Sequence, residues 1–459
     1  MMESPLQGRP AFHAGRAATL CAALRNPSAR RVLVAFFLFN TQEYGIWVAV
    51  VIYAYAQGGA TTAGIVLIAQ LVPAMFFAPL ASVLGDRMRR GRALMLGYAT
   101  QAIAAAALAV ALAWAPPLFA CLAAIISTSL ITLTRPVHNA ILPELADTPD
   151  ELTAANAASG AMEAVGNLAG PLVVSVVIGP GGAGMAVGVM AALTALAALL
   201  AVRLPLHDRP QAESLTHTRI VTDAMEGARE LRQERGATLL LLIGGSQFLL
   251  IGMLDVFYVM LAIDVLHAGE SAAGVLASGF GAGGLLGAGV AVALVARPRL
   301  APPMAGGLAA CGVMLAALSG VTSVTVTFVL LAICGAGRSF FDVAARMLLQ
   351  RSVRDEVLAR VFGLQEALVM AGLAVGAIVA PVLVATLDEG PAMLASGILF
   401  VGIAVVAARS LRAVDERAFV PGPELNVLRQ VPFLRLLPRH ALERLSWHAV
   451  PSPLRPAQW

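Results

Sequence analysis

Charge is scarce in this chain. Of 459 residues only 13% are charged, where a soluble domain carries about 25%. Lysine is absent, so all 31 basic residues are arginine. Aromatic side chains make up 6%, and cysteine occurs four times, at Cys21, Cys121, Cys311 and Cys334. The low charge excludes a soluble enzyme, a packed basic face for nucleic acid and a disordered chain. The cysteine spacing fits neither a disulfide framework nor a zinc site, and reads as buried apolar thiols. No His, Cys and carboxylate set has metal-ligand spacing, and no Ser-His-Asp set is visible. Neither an enzymatic reaction, a metal nor a cofactor is therefore expected.

What is abundant is apolar surface. Hydrophobic residues make up 59% of the chain, and its mean hydropathy is +0.81. A membrane-spanning helix needs about 20 apolar residues. Such stretches recur at 32–55, 62–84, 93–113, 117–137, 155–178, 184–203, 238–263, 272–296, 303–320, 324–346, 361–386 and 391–410. The expected fold is an all-α membrane protein with twelve transmembrane helices. The first apolar stretch has no short core and no small-residue cleavage site, so it reads as a span rather than a signal peptide. The run Gly279, Gly281, Gly283, Gly284, Gly287 and Gly289 lacks the preceding strand and following Lys-Ser/Thr of a phosphate loop. It reads as a close helix-packing face.

The arginines order the layout. Loops after even-numbered spans carry Arg87, Arg89, Arg90, Arg92, Arg209, Arg219, Arg229, Arg232, Arg235, Arg297, Arg299, Arg351 and Arg354. Loops after odd-numbered spans carry no Arg and instead hold Glu270, Asp388 and Glu389. Positive charge stays inside, so both termini are expected in the cytoplasm, with the chain in the cytoplasmic membrane. A polar stretch, 204–237, with a surface helix expected near Thr222–Arg235, separates two six-helix pseudo-repeats at 32–203 and 238–412. Segments 1–31 and 413–459 flank them. The fourth span ends at Arg135, followed by Asp150-Glu151 and a helix with Glu163; the tenth ends at Arg346, followed by Asp355-Glu356 and a helix with Glu366. Repeats of this kind place a substrate path near the bilayer midplane between the halves.

After the second span runs Pro79-Leu-Ala-Ser-Val-Leu-Gly-Asp86-Arg87-Met-Arg89-Arg90-Gly-Arg92. It resembles the cytoplasmic loop signature of the major facilitator superfamily, Gly-x-x-x-Asp-Arg-x-Gly-Arg-Arg. Asp86, Arg87 and Arg90 match, while Ser82 and Arg89 stand where glycine is usual. The counterpart loop, Arg297-Pro-Arg299, lacks the Asp. The resemblance covers about residues 30–412 and implies secondary transport by alternating access. It also implies that Asp86, Arg87 and Arg90 latch the halves together, with Arg135 and Glu163 extending the ion-pair network; the alternative is that these arginines only set topology. Gly166-x-x-x-Gly170-Pro171 partly resembles an antiporter signature, though Val174 and Ser175 replace its last glycines, and equally reads as packing. The layout looks most like the bacterial macrolide- and siderophore-exporter branch.

Charges within a span cost about 2.5–3.5 kcal/mol at the helix centre, so they mark function by default. Glu43 lies near the middle of span one, sharing a face with Asn40 and Trp47 by three- and four-residue spacing. It is the leading candidate for proton coupling or cation recognition; a structural hydrogen bond is the alternative. Asp255, Glu163, Glu366, Arg338 and Asp342 are further candidates, with Asn40, Gln42, Trp47, Asn167 and Gln365 as polar or aromatic groups of the same cavity. Arg338, Asp342 and Arg346 recur at four-residue spacing, which suits intrahelical pairing; Arg338 could instead meet an anion. His138, at a span edge, reads as a topology or capping residue.

The tail 425–445 resembles the opening helices of a cyclic-nucleotide-binding domain, without the barrel and phosphate site that would bind nucleotide. A plain amphipathic tail on the bilayer is the alternative. The expected activity is proton-coupled efflux of amphipathic or hydrophobic small molecules by a monomer. The partners are then substrate, protons and lipid, with no nucleic acid. Import of a specific metabolite and a non-transporting membrane sensor are the rival readings.

Overall fold

The computed structural model describes residues 27–86, 89–145, 149–202, 204, 235–291, 299–352 and 355–417, with Leu428 and Val431 beyond them. The Thr222–Arg235 helix expected in the linker, and nearly all of the tail, lie outside the described residues. Ten helices are long and apolar enough to cross a membrane.

Two of the ten are too long for one crossing. Pro27–Asp86 has 60 residues and Pro149–Ala201 has 53, which at 1.5 Å per residue would reach about 90 and 80 Å. Both fold back at glycine. Gly59 (φ 66°) and Gly182 (φ 68°) adopt the left-handed backbone that other residues resist. Counting each arm, the described residues hold twelve helices of crossing length.

The arms of the first long helix are α1 (27–57) and α2 (60–86). Then come α3 (Arg90–Trp114) and α4, which is Pro117–Ile131 continued after a break by Thr134–Leu145. The arms of the second long helix are α5 (149–181) and α6 (183–201). The remainder are α7 (Arg235–Met260, ending in a π turn, Leu261–Val265), α8 (Glu270–Ala291), α9 (Ala301–Ala317), α10 (Val324–Ser352), α11 (Asp355–Leu387) and α12 (Glu389–Arg417). Faces of these helices carry Ile103, Val176, Leu286 and Val406, 70–77% exposed. Such apolar exposure has the lipid as its natural solvent.

Small residues decide who packs on whom, as expected where apolar burial gives no advantage over lipid. A Cβ added at Gly166 would lie 2.6 Å from Asn40 Cβ, and one at Gly170 2.5 Å from the Thr41 carbonyl oxygen, so α5 rides directly on α1. In the second group, Gly372 and Gly376 of α11 ride on Gly245, Leu249 and Gly252 of α7 in the same manner. The glycine run of α8 faces α10: Gly283 abuts Ala332 and Gly287 abuts Ala336. Helices α1–α6 thus form one packed group and α7–α12 another.

The groups meet through α2 with α11 and α5 with α8. Gly64 approaches Ala377 and Pro381, Gly274 approaches Pro171 and Ser175, and Gly179 approaches Ser271. Tyr55 also donates a hydrogen bond to Asp264. These contacts lie toward the end of the bundle that holds the 57–61 and 266–271 connections. No extensive packing joins α4 or α5 to α10 or α11 among the described residues. Among the described residues, the contacts between the groups concentrate at one end of the bundle.

A remote cap holds α9. The α12 residue Asp415, 5% exposed, accepts hydrogen bonds from the backbone N–H of Leu300 (2.9 Å to Oδ2) and Ala301 (3.0 Å). The orphan donors of a helix start thus find a carboxylate from another helix. Replacing it by alanine, Asp415→Ala, is expected to cost about 1–2 kcal/mol, the scale of a lost N-cap, seen as a lower melting temperature in detergent with Asp415→Asn between it and the parent. An unchanged melting temperature in the alanine variant would refute the cap.

Candidate functional site

Polar side chains are few in a bundle of this composition, so where they gather is informative. They gather at mid-depth. Around α1 the sequence Asn40-Thr-Gln-Glu43-Tyr44-Gly-Ile-Trp47 turns by 100° per residue. Glu43, Tyr44 and Trp47 are partly exposed while Asn40, Thr41 and Gln42 are buried. Gly166 and Gly170 of α5 pack on the backbone of Asn40, Thr41 and Gly45 beside this face.

Arg135 of α4 reaches this face and is saturated there. Its Nη1 pairs with Glu163 Oε1 of α5 at 2.9 Å. Its Nη2 pairs with Glu43 Oε2 at 2.7 Å and donates to Asn40 Oδ1 at 3.0 Å. The planar fork of arginine is what permits one cation to serve three acceptors on two helices. Its guanidinium carbon lies 5.8 Å from the Phe39 ring centroid. The side chains of Arg135, Glu43 and Glu163 are 32%, 24% and 38% exposed; at mid-bundle that exposure means an internal aqueous space.

One turn further along α4, His138 stacks on Phe36 with centroids 3.6 Å apart and shares a hydrogen bond with Ser159 Oγ at 2.8 Å. It is fully buried. The expectation of a capping residue at a span edge therefore gives way to a second α4–α5 rung beside Arg135–Glu163.

The second group contributes a separate cluster. Asp255 of α7 accepts hydrogen bonds from Tyr258 and, at 3.0 Å, from Trp47 Nε1 of α1. The Trp47 bond crosses between the groups. On α10, Arg338 Nε lies 3.3 Å from Asp342 Oδ2, and its guanidinium carbon 5.8 Å from the Phe280 centroid. Gln247 Nε2 of α7 donates to the Arg338 carbonyl at 3.4 Å. Arg338 is close enough to interact electrostatically with Glu163 and with Tyr44, which links the clusters. Arg346, exposed, lies near Asp342. Among the described residues, the four carboxylates Glu43, Glu163, Asp255 and Asp342 thus lie with the three guanidiniums of Arg135, Arg338 and Arg346.

Several expectations land elsewhere. Gln42 is fully buried with neither amide atom hydrogen-bonded; one residue before Glu43, it points about 100° away from the cavity face. Asn167 packs its backbone against Gly281, and its side-chain Oδ1, like that of Gln365 at Oε1, is buried without a hydrogen-bond partner. The side chains of Glu366 and Asp86, and all of Arg87, lie outside the described residues. Arg90 pairs with Glu144 at 2.5 Å and donates to the Ala140 carbonyl at 2.8 Å. In this state it clamps α3 to α4 rather than joining the two groups. Tyr44, Tyr258, Gln247 and Phe280 belong to the site but were not singled out from sequence. The three-residue spacing of Asp255 and Tyr258 was the available signal; for Phe280 there was none. Cys311 Sγ donates to the Cys334 carbonyl at 3.2 Å in buried packing.

Among the described residues, twelve helical arms in two packed groups, with charged and polar side chains gathered between them, define a multi-pass membrane protein. The sequence profile of the Major Facilitator Superfamily matches residues 32–300, and the chain belongs to that family. Among solved structures it is similar to a variant of the nucleoside transporter NupG (TM-score 0.69, 16% identity, covering 85% of this chain and 100% of that one). It is also similar to a POT family transporter solved with a thioalcohol-conjugated peptide (0.62, 14%, 84% and 96%). A third is a bacterial homolog of the human lysosomal transporter Spinster, inward-facing and unoccupied (0.61, 16%, 84% and 97%). No curated protein matches the chain.

Proposed function

We propose that this secondary transporter couples proton entry to the export of amphipathic or hydrophobic small molecules, in the manner of the exporter branch its layout resembles. The carrying observation is the charge imbalance in the cavity: four carboxylates against Arg135, Arg338 and Arg346. One excess negative charge among the described residues, set between apolar helices, invites a proton or a cation. Glu43 is the coupling acid. Its protonation would release Arg135 toward Glu163 alone and loosen α1 from α4, biasing the groups toward their other arrangement. The arginine-rich loops favour both termini in the cytoplasm, which makes the end with few contacts between the groups cytoplasmic and this state inward-open. The two six-helix groups are the rocking halves, and the cycle needs one copy of the chain.

The test is efflux of a cationic dye, ethidium, from cells lacking their own pumps. The parent should expel it in a gradient-dependent way, and Glu43→Gln should reduce energised efflux to background, at least about tenfold. Normal efflux by that variant would remove Glu43 from coupling. A second reading, import of a metabolite, is favoured by the nucleoside and peptide transporters among the similar structures. Uptake by inverted vesicles with an acidified lumen separates the two, since a proton-coupled exporter accumulates substrate there and a proton-coupled importer does not.

A further inference from the structure

Two half-buried arginines, Arg135 and Arg338, each lie on the fourth helix of a group, but they are used differently. Every terminal nitrogen of Arg135 has an acceptor: Glu163 on Nη1, Glu43 and Asn40 on Nη2. Arg338 has one ion-pair partner, Asp342, placed on Nε at 3.3 Å. Among the described residues neither of its terminal nitrogens has a hydrogen-bond partner. Its side chain is 28% exposed. An arginine in that position carries a large desolvation cost without the compensating bonds that Arg135 enjoys. A guanidinium with its outer edge open is a bidentate receptor for a carboxylate.

The surroundings add two properties. The Phe280 ring lies under the guanidinium, and the backbone that carries it is packed against α10. Gly335 brings the α10 backbone against the Phe280 carbonyl, and Ser339 Oγ donates to the Gly284 carbonyl at 2.8 Å. A flat aromatic ligand could share this platform. Asp342, Glu163 and Asp255 lie within electrostatic reach of Arg338, so a simple anion would meet repulsion. A molecule carrying a positive group as well would offset it.

We infer that Arg338 is the receptor for a carboxylate on the substrate, and that the preferred substrates are zwitterionic aromatic amphiphiles. The carboxylate lies on the open edge of Arg338 beside Phe280, and the cationic part faces the acids. This rests on the reading that the cavity is the substrate site. It does not rest on Glu43 being the coupling acid.

Equilibrium binding by fluorescence anisotropy tests it, using full-length protein in nanodiscs without a gradient. Rhodamine 110 carries a free carboxylate and a cationic ring system; rhodamine 123 is its methyl ester. The parent should bind rhodamine 110 about tenfold more tightly than rhodamine 123, the scale of one charge-assisted bidentate contact. Arg338→Gln should erase that preference by weakening rhodamine 110 alone, and Arg338→Lys should keep part of it. Equal affinities in the parent, a preference for the ester, binding of neither dye, or an Arg338→Gln variant that retains the preference would each overturn the inference. The parent comparison decides even if the glutamine variant does not fold. Should the preference hold while Glu43→Gln still pumps, the carboxylate site stands and the coupling assignment falls.

Discussion

Arg135→Gln should stop transport altogether. The substitution removes the cation that separates Glu43 from Glu163, and leaves Asn40 Oδ1 without its donor. Two carboxylates would then face each other with no cation between them. Proton-driven dye movement in inverted vesicles should fall by at least about a hundredfold, because both acids lose their partner in one change. The effect on folding should be smaller. A charge-assisted hydrogen bond contributes about 1.5–3 kcal/mol when buried, and less here, since a third of the Arg135 side chain is exposed.

Arg135→Lys should recover stability but little transport. A single ammonium cannot address Glu163 from one edge and Glu43 with Asn40 from the other. The double variant Glu43→Gln with Arg135→Gln should melt closer to the parent than Arg135→Gln alone, and still fail to transport. Their melting temperatures form a double-mutant cycle that isolates the pair. Transport by Arg135→Gln at near-parental rate would make the whole triad a structural feature.

Gly283→Ala should prevent assembly of the second helix group. A Cβ there would sit 1.7 Å from the Ala332 carbonyl oxygen, and that atom is backbone, which cannot swing aside. Helices α8 and α10 would have to separate by more than an ångström. The shift would also dislodge Phe280 from Arg338 and break the Ser339–Gly284 bond. Overpacking of a tight core costs about 1–3 kcal/mol, and a clash with backbone lies at or beyond the top of that range. The expected result is little monodisperse protein by size exclusion, or a melting temperature lower by about 10 °C or more. Gly289→Ala is the control: six residues along the same helix, nothing lies within 4 Å of its added Cβ. It should be neutral or slightly stabilising, since alanine outranks glycine in helices. Equal behaviour of the two variants would mean that α8 and α10 are not in backbone contact.

The glycine run of α8 shows how far sequence reasoning reaches. Its density marked a packing face, but not the partner, because ridges and grooves say nothing about which neighbour arrives. The site shows the same division. Glu43 stood out because a charge within an apolar run is costly wherever the helix sits. Arg135 was placed at a cytoplasmic loop end with the gating residues, since only its position along the chain was visible. The break after Ile131 and the second helical piece Thr134–Leu145 extend α4 beyond its expected end, and this carries Arg135 into the bundle. Gln42 was included as a neighbour in sequence and excluded by helical rotation.

The alternation of apolar runs and arginine-bearing loops determined the class of fold and the number of crossings, because lipid tolerates only helices with their backbone satisfied internally. That alternation also singled out the acids. Which acid meets which arginine, which arginine keeps an open edge, and at which end of the bundle the groups meet were decided only by the packing of helices far apart in the chain. Such contacts depend on the rotation and depth of each helix at ångström scale, and small residues set both without leaving a signal in hydropathy.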